Sequence, residues 1–226
     1  MNNELIIKRF KRSLSTYDDN AQIQEIMATN LISLLPQKTF NSILEIGCGT
    51  GILTKKCVEN LKFTNYTAND IVEECQNYTH KINPNINFLK GDITTIDLPQ
   101  KYDLIISNAV FQWFDSPNET ITKLKQNLSP NGILLFSTFG NKNFYELKEI
   151  LNISIDYPLT NNIHKEEIYE LTFPNCHEML KHIKNTGVNA ITEYKLTRKK
   201  LDELNNKFIE NYGQVKLTYN PIYVIL

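Results

Sequence analysis

Short apolar runs alternate with longer helix-like stretches through most of the chain, and this alternation predicts a doubly wound, mostly parallel α/β sheet. The run Ile43-Leu44-Glu45-Ile46 is the first such strand, and a helix over 51–61 follows it. A second strand over 63–69 ends at Asp70, ahead of a helix over 71–82 that Asn83-Pro84 stops. The third strand, 86–89, is closed by Gly91-Asp92, and the strongly apolar fourth, 102–107, leads into 108–115. Ser116 is placed to cap a helix with Pro117 at its first position. That helix ends near Leu128, before Ser129-Pro130-Asn131-Gly132, and a fifth strand over 133–138 and a helix over 143–152 come next.

Beyond residue 152 the pattern changes. A strand is expected over 167–173, then a helix capped by Asn175 and stopped near Gly187, then a second helix over 198–212 capped by Thr197 and ended by Gly213. A terminal strand is expected over 216–226. Two helices before the last strand exceed a minimal doubly wound sheet, so residues 174–213 read as a helical lid insertion. The mostly helical residues 1–35 read as a second lid segment, 36–173 as the cofactor-binding core and 214–226 as the final strand. The whole chain, 1–226, reads as one domain.

The chemistry concentrates where the first strand ends, in Gly47-Cys48-Gly49-Thr50-Gly51. A buried strand running through G-x-G-x-G into a helix makes a turn that lets backbone approach a ligand closely. A dinucleotide fingerprint requires glycine at 52, where the chain has Ile52. Asp70, at the next strand end, can accept hydrogen bonds from both hydroxyls of a ribose, or cap the following helix, or both. Asp92 can reach an adenine amino group while Ile93 covers the ring, although a plain turn aspartate has the same pattern. Glu45 is an acid inside an apolar strand, which calls for a partner: loop amides or a cofactor ammonium group. All these positions fall at the carboxyl edge of the sheet, where open α/β folds bind ligands.

The acid followed by G-x-G-x-G resembles motif I of the class I S-adenosylmethionine (SAM) methyltransferases, whose fold is a Rossmann-like, mostly parallel seven-stranded sheet. Over nearly its whole length the chain resembles a narrower family, the malonyl-acyl-carrier-protein O-methyltransferases of biotin synthesis (BioC). The resemblance rests on Phe10-Lys11-Arg12 through Tyr17, on residues 44–51, and on Ser107-Asn108 with Gln112-Trp113. It continues in Phe136-Ser137-Thr138-Phe139 and Tyr145-Glu146-Leu147. At the C-terminal end it includes Ile183-Lys184-Asn185-Thr186-Gly187, Leu196-Thr197-Arg198 and Leu217-Thr218-Tyr219. The segment between Asn152 and Glu166 is shorter than is usual in the family, which bears on the acyl channel rather than on the SAM site.

This resemblance implies methyl transfer from SAM to the free carboxylate of a malonyl thioester, with acyl carrier protein, or alternatively coenzyme A, as the carrier. The ester would start pimeloyl-chain synthesis. It implies a cofactor site formed by Arg12, Tyr17, Glu45, Gly47, Cys48, Gly49, Gly51, Asp70, Ile71, Asp92, Ile93 and Asn108. The acceptor side is expected to hold Tyr17, Gln112, Trp113 and Arg198, and Trp113 fits ordinary core packing equally well. A malonyl carboxylate is ionised at neutral pH, so no dedicated base is needed. Arginine suits a carboxylate because its planar fork makes two parallel hydrogen bonds. Of 24 basic residues only Arg9, Arg12 and Arg198 are arginine, all in the suspected lid segments. Arg198 is the expected malonyl anchor, with Tyr17 donating a hydrogen bond nearby. Arg12 is expected to contact the SAM carboxylate or to hold the N-terminal helix.

Composition limits the other options. The net charge is −1, but residues 1–17 carry four basic residues against Glu4, and residues 176–226 carry eight against five acids. These basic ends, with Lys181, Lys184, Lys199 and Lys200, fit an acidic partner such as a carrier protein, or simply a solvated surface. Cys48, Cys57, Cys75 and Cys176 form no C-x-x-C pair and no cluster with histidine, so no metal site and a reduced, cytoplasmic setting are expected. No signal peptide or membrane span is expected. Nucleic-acid methylation is disfavoured, since no N-P-P-Y-type tetrad follows the fourth strand and no large basic groove is apparent. The alternatives carried forward are a SAM methyltransferase of another small carboxylic acid and a SAM-binding protein without turnover.

Overall fold

The computed structural model describes residues 3–154, 162–186 and 197–226. Gly187 and Leu196, and part of the short stretch between Asn152 and Glu166, lie outside the described residues. The chain opens with helices α1 (Asn3–Ser13) and α2 (Gln22–Leu34), separated by a 3-10 turn at Asp18–Asn20. Strands β1 (Thr39–Ile46), β2 (Lys62–Asp70), β3 (Asn87–Lys90), β4 (Tyr102–Asn108) and β5 (Leu128–Phe139) follow, linked by α3 (Ile52–Asn60), α4 (Cys75–Ile82) and α5 (Pro117–Gln126). The remainder comprises α6 (Tyr145–Leu151), β6 (Ile163–Glu166), β7 (Tyr169–Phe173), α7 (Cys176–Asn185), α8 (Arg198–Tyr212), β8 (Val215–Tyr219) and β9 (Pro221–Ile225).

Seven strands form one sheet in the order β3-β2-β1-β4-β5-β9-β6, with β1 to β5 parallel and β9 antiparallel to both neighbours. Side chains alternate across each strand. Leu44, Ile46 and Ile105 therefore join the core under α5, while Ile43, Leu104 and Ile106 join the core shared with α2 and α3. Glu45 falls on that second face, beneath α3.

The structure corrects four sequence expectations. The terminal strand is two strands: β8 pairs with β7 in a separate ribbon, and β9 enters the main sheet. The break is at Asn220, fully buried, whose side chain donates to Glu166 Oε1 and the Glu167 carbonyl and accepts from the Lys142 N–H. Pro221 then has no N–H to continue a ladder. The strand over 167–173 belongs to that ribbon rather than to the main sheet, where β9 lies sixth and β6 takes the edge. The fifth strand starts at Leu128, because Ser129-Pro130-Asn131-Gly132 lies inside β5 as an irregularity opposite Tyr102–Leu104, with Asn131 at φ +63°. Helix α4 starts at Cys75 rather than Ile71, since the Asp70 carboxylate holds the Val72 N–H in a turn.

The capping expectations divide. Asn175 and Thr197 accept from the N–H groups of Glu178 and Lys200, and Gly213 closes α8 in the left-handed region. Ser116 makes no side-chain cap; its carbonyl instead accepts from Thr120 N and Oγ1. Helices α7 and α8 pack on β8, beside α6, and bury Met179, Ile183, Leu204 and Phe208. All four cysteines are free and buried. Among the described residues no helix is long and apolar enough to cross a membrane.

Candidate active site

A cavity of 910 Å³ opens at the carboxyl ends of β1, β2, β3 and β4. Its floor is the glycine loop. Gly47, Gly49 and Gly51 have φ of +66°, +53° and +88°, the left-handed region that disfavours a side chain. At Gly47 the need is doubled, because a Cβ would stand 2.4 Å from Val110 Cγ2. The loop is pinned by the bond from Cys48 N to the Asn69 carbonyl (3.0 Å) and by Gly51 N to the Cys48 carbonyl (2.8 Å).

Asp70 completes this wall. Its Oδ2 accepts from Gly49 N at 2.9 Å and its Oδ1 from Val72 N at 2.8 Å. Burial pushes its carboxyl up, and the N–H groups of Val72 and Gly49 pull it back. The Cys75 thiol and the Ile71 N–H also favour the ionised form. Asp92 accepts at Oδ1 from Thr94 N (2.9 Å) and Thr94 Oγ1 (2.7 Å), which shapes the turn after β3. Asn69, which the sequence reading passed over, ties that turn to the sheet by donating to the carbonyls of Leu89 (2.8 Å) and Gly91 (2.9 Å).

Glu45 lies beneath the loop and is 1% exposed. Its Oε2 accepts from Thr54 Oγ1 at 2.6 Å and Tyr66 OH at 2.7 Å, while its buried Oε1 has no hydrogen-bond partner among the described residues. Burial is the main cause that pushes this carboxyl up to about 7, against the two donors that favour the anion. A buried carboxylate oxygen without a partner costs free energy unless a ligand donor reaches it. Among the described residues, the lining carries five acids, Glu45, Asp70, Asp92, Asp115 and Glu119, against the cations Arg9 and Lys123. That balance suits a cofactor with both an ammonium and a sulfonium group, so the residues present fit SAM.

The facing wall comes from the N-terminal helices and the turn after β4. Phe10 lies over Gly49, so close that a Cβ there would be 3.1 Å from Phe10 Cζ, and its ring meets Tyr17 edge-on at 5.4 Å. Thr50 Oγ1 donates to Asp18 Oδ1 at 2.5 Å, joining this segment to the loop. Burial first, then the carboxylates of Asp18 and Asp70, push the Tyr17 phenol up, so it stays protonated. Asn108 donates to the Gln24 carbonyl (2.9 Å) and accepts from Ser137 Oγ (2.7 Å). Gln112 donates to the Ala109 carbonyl (2.6 Å) and accepts from Thr138 Oγ1 (3.0 Å), and Trp113 sits beside it in the 3-10 turn Phe111–Trp113. That turn is anchored from below by Phe111 stacked on Phe136 at 3.7 Å.

Most residues singled out in the sequence therefore meet at one cavity: Tyr17, Glu45, Gly47, Cys48, Gly49, Asp70, Ile71, Asp92, Ile93, Asn108, Gln112 and Trp113. Gly51 closes the loop just outside the lining, as the residue that leads into α3. Arg12 and Arg198 are exposed and do not line the cavity. Arg9, Phe10, Gln24, Phe114, Lys123, Phe139 and Thr186 do line it and carried no site assignment from sequence. Phe10, Phe139 and Thr186 fall within motifs that carry the family resemblance, and Arg9 is one of the three arginines, but none of them had been given a role at the site.

Sheet order, glycine loop and cavity together define a class I SAM-dependent methyltransferase domain, and the family model described as a methyltransferase domain matches residues 20–187. Among solved structures, the N-methyltransferase NodS from Bradyrhizobium japonicum, in complex with S-adenosylhomocysteine, superposes with a TM-score of 0.53 at 14% identity, covering 96% of this chain and 97% of that one. The YcgJ protein of Bacillus subtilis superposes at 0.58 with 12% identity, covering 88% and 97%. At these identities the likeness concerns the fold. The sequence relatives are narrower. Malonyl-[acyl-carrier protein] O-methyltransferases of Calditerrivibrio nitroreducens and Chlorobium luteolum are 35% and 32% identical, over 96% and 98% of this chain and 94% of each relative. The chain belongs to the malonyl-[acyl-carrier protein] O-methyltransferase family.

Proposed function

We propose that the protein transfers a methyl group from SAM to the free carboxylate of malonyl-acyl carrier protein, giving the methyl ester that starts a pimeloyl chain for biotin. The observation that carries this reading is the meeting of Tyr17 and Gln112-Trp113 with the glycine loop across one cavity, in a chain whose relatives carry that name over nearly their full length. When bound, the cofactor would supply a methyl on a cationic sulfur, which would keep the C–S electron pair as the acceptor oxygen formed the new C–O bond.

The chain's own residues have positioning work to do. Asp70 and Asp92 are proposed to take the ribose and the adenine amino group, with Ile71 and Ile93 beside the nucleoside. Glu45 is proposed to meet the ammonium, and the amides of Gly47, Cys48 and Gly49 to approach the methionine part. The acceptor is already an anion at neutral pH, so the acceptor wall needs to orient an oxygen and exclude water rather than remove a proton. Tyr17, held protonated, is proposed to donate to that carboxylate, with Gln112 and Trp113 bordering its path. Arg198, exposed on the first turn of α8, is not brought to the acceptor by this arrangement.

Purified protein incubated with SAM and malonyl-acyl carrier protein should produce a one-methyl gain on the carrier-bound acyl group, read by mass spectrometry, together with S-adenosylhomocysteine. Malonyl-coenzyme A in a parallel reaction separates the two carriers. Methylation of other free acids but not of malonyl thioesters would sink the specific reading.

A further inference from the structure

One polar side chain of the cavity has no role in the proposed function. Gln24, the third residue of α2, lines the cavity and is 3% exposed. Its main-chain carbonyl accepts from Asn108 Nδ2 at 2.9 Å, and Asn108 accepts in turn from Ser137 Oγ. Its carboxamide has no hydrogen-bond partner among the described residues. Neither carboxamide atom is sealed off as Glu45 Oε1 is, so the group opens onto the cavity. A carboxamide brings two N–H donors and a carbonyl acceptor, and leaving it unpaired in a buried wall costs free energy that a ligand can recover.

The tie to Asn108 decides what the group can meet. Asn108 and Ser137 are paired at the ends of β4 and β5, beside the Phe111–Trp113 turn. Asp70 ends β2 and Asp92 follows β3, on the other side of β1. The carboxamide therefore belongs to the acceptor side. In the proposed function the malonyl carboxylate goes to Tyr17, and the cofactor's polar groups go to Glu45, Asp70, Asp92 and the glycine-loop amides. The thioester carbonyl is the polar group left over. It lies one methylene from the malonyl carboxylate and is buried with it, whereas the amides of the carrier arm trail toward solvent. A donor on this carbonyl orients the malonyl group without drawing charge from the attacking carboxylate oxygen.

Resting on the proposed function, we propose that Gln24 Nε2 donates to the thioester carbonyl of the acceptor, which makes Gln24 a specificity-determining residue. The test deletes each partner in turn. Its probes are malonyl-acyl carrier protein and 2-carboxyethyl-acyl carrier protein, a thioether that keeps the carboxylate and the chain length but has a methylene in place of the carbonyl. Both are titrated by calorimetry with S-adenosylhomocysteine saturating. The wild type should bind the malonyl form roughly tenfold more tightly, and Gln24→Leu should bring the two forms within about twofold of each other. The affinity of that variant for S-adenosylhomocysteine should stay within about twofold of the wild type.

Gln24→Leu keeps the main-chain carbonyl that Asn108 holds, and Gln24→Glu, which keeps the shape and loses the donor, reads the same comparison if the leucine variant does not fold. Gln22→Leu makes the same change at an exposed position outside the lining and should preserve the preference. The proposal is overturned if a folded Gln24 variant retains the preference, if it weakens both forms equally, if S-adenosylhomocysteine affinity falls as far as malonyl affinity, or if Gln22→Leu reproduces the loss. A wild type that binds neither carrier form would overturn the proposed function itself. A wild type that methylates malonyl-acyl carrier protein, beside a Gln24 variant with its preference intact, would overturn the Gln24 assignment alone.

Discussion

The glycine-loop wall of the cavity takes its residues from the ends of β1, β2 and β3, whereas the facing wall takes them from α1, the Asp18–Asn20 turn and the Phe111–Trp113 turn. On the first wall the key side chains are buried and tied to neighbouring strands: Asp70 to Gly49 and Val72, Asn69 to Leu89 and Gly91, Glu45 to Thr54 and Tyr66. On the second wall Arg9, Phe10, Tyr17, Gln112 and Trp113 are half-buried, and helical segments distant in sequence hold them in place. The parallel sheet fixes one wall through its own ladder. The other is assembled by packing, so it is the wall on which related enzymes can change acceptor without losing the cofactor.

The difference can be broken hardest from beneath the second wall. Phe136→Ala removes the ring stacked under Phe111 and should cost about 3–5 kcal/mol in a denaturant melt, with the Gln112-Trp113 turn released first. Should acceptor use fall no further than cofactor binding in the surviving folded fraction, Phe136 does not selectively support this wall. Asp70→Ala comes next: it should weaken S-adenosylhomocysteine by about a hundredfold in calorimetry. A loss under threefold would remove Asp70 from the proposed cofactor wall.

The pH dependence of cofactor binding should read the first wall alone. The Glu45 carboxyl, pushed up to about 7 by burial, is neutral below that pH and attracts an ammonium only above it. Affinity for S-adenosylhomocysteine should therefore rise about tenfold from pH 6 to pH 8, and Glu45→Gln should flatten the profile. An unchanged slope in that variant would place the titrating group elsewhere. Stability runs the opposite way: the folded state holds this proton more tightly than the unfolded chain does, so without ligand the contribution of Glu45 declines as pH rises from about 4.5 to about 7. The smallest effect is expected from Thr138→Val, which deprives Gln112 Oε1 of its donor and should raise the acceptor KM about threefold, with cofactor affinity unchanged. Equal changes in both would mean that the two walls are coupled.

The legible parts of the site were those set by local sequence. G-x-G-x-G after an apolar strand specifies a left-handed turn at a strand end, and an acid one β-α unit later falls beside it by the geometry of parallel strands. Asn175, Thr197 and Gly213 were readable because caps act within one turn of their own helix. A doubly wound, mostly parallel sheet followed from alternation, and seven strands from the family resemblance, but which strands belonged to it did not. Asn220 ends one pairing through contacts with Glu166, Glu167 and Lys142, some fifty to eighty residues away, and no local pattern announces them.

The chain's order of strands, its glycine loop and its family motifs determined by themselves the fold class and the kind of chemistry, because each depends on short-range spacing and backbone stereochemistry. Which cation enters the cavity was decided only in three dimensions. Arg9, Arg12 and Arg198 are all single arginines in helical segments, and the family motifs brought forward Arg12 and Arg198 but not Arg9. Packing of α1 over Gly49 turns Arg9 toward the cavity and leaves Arg12 in solvent, and the seating of α8 against β8 keeps Arg198 on the surface.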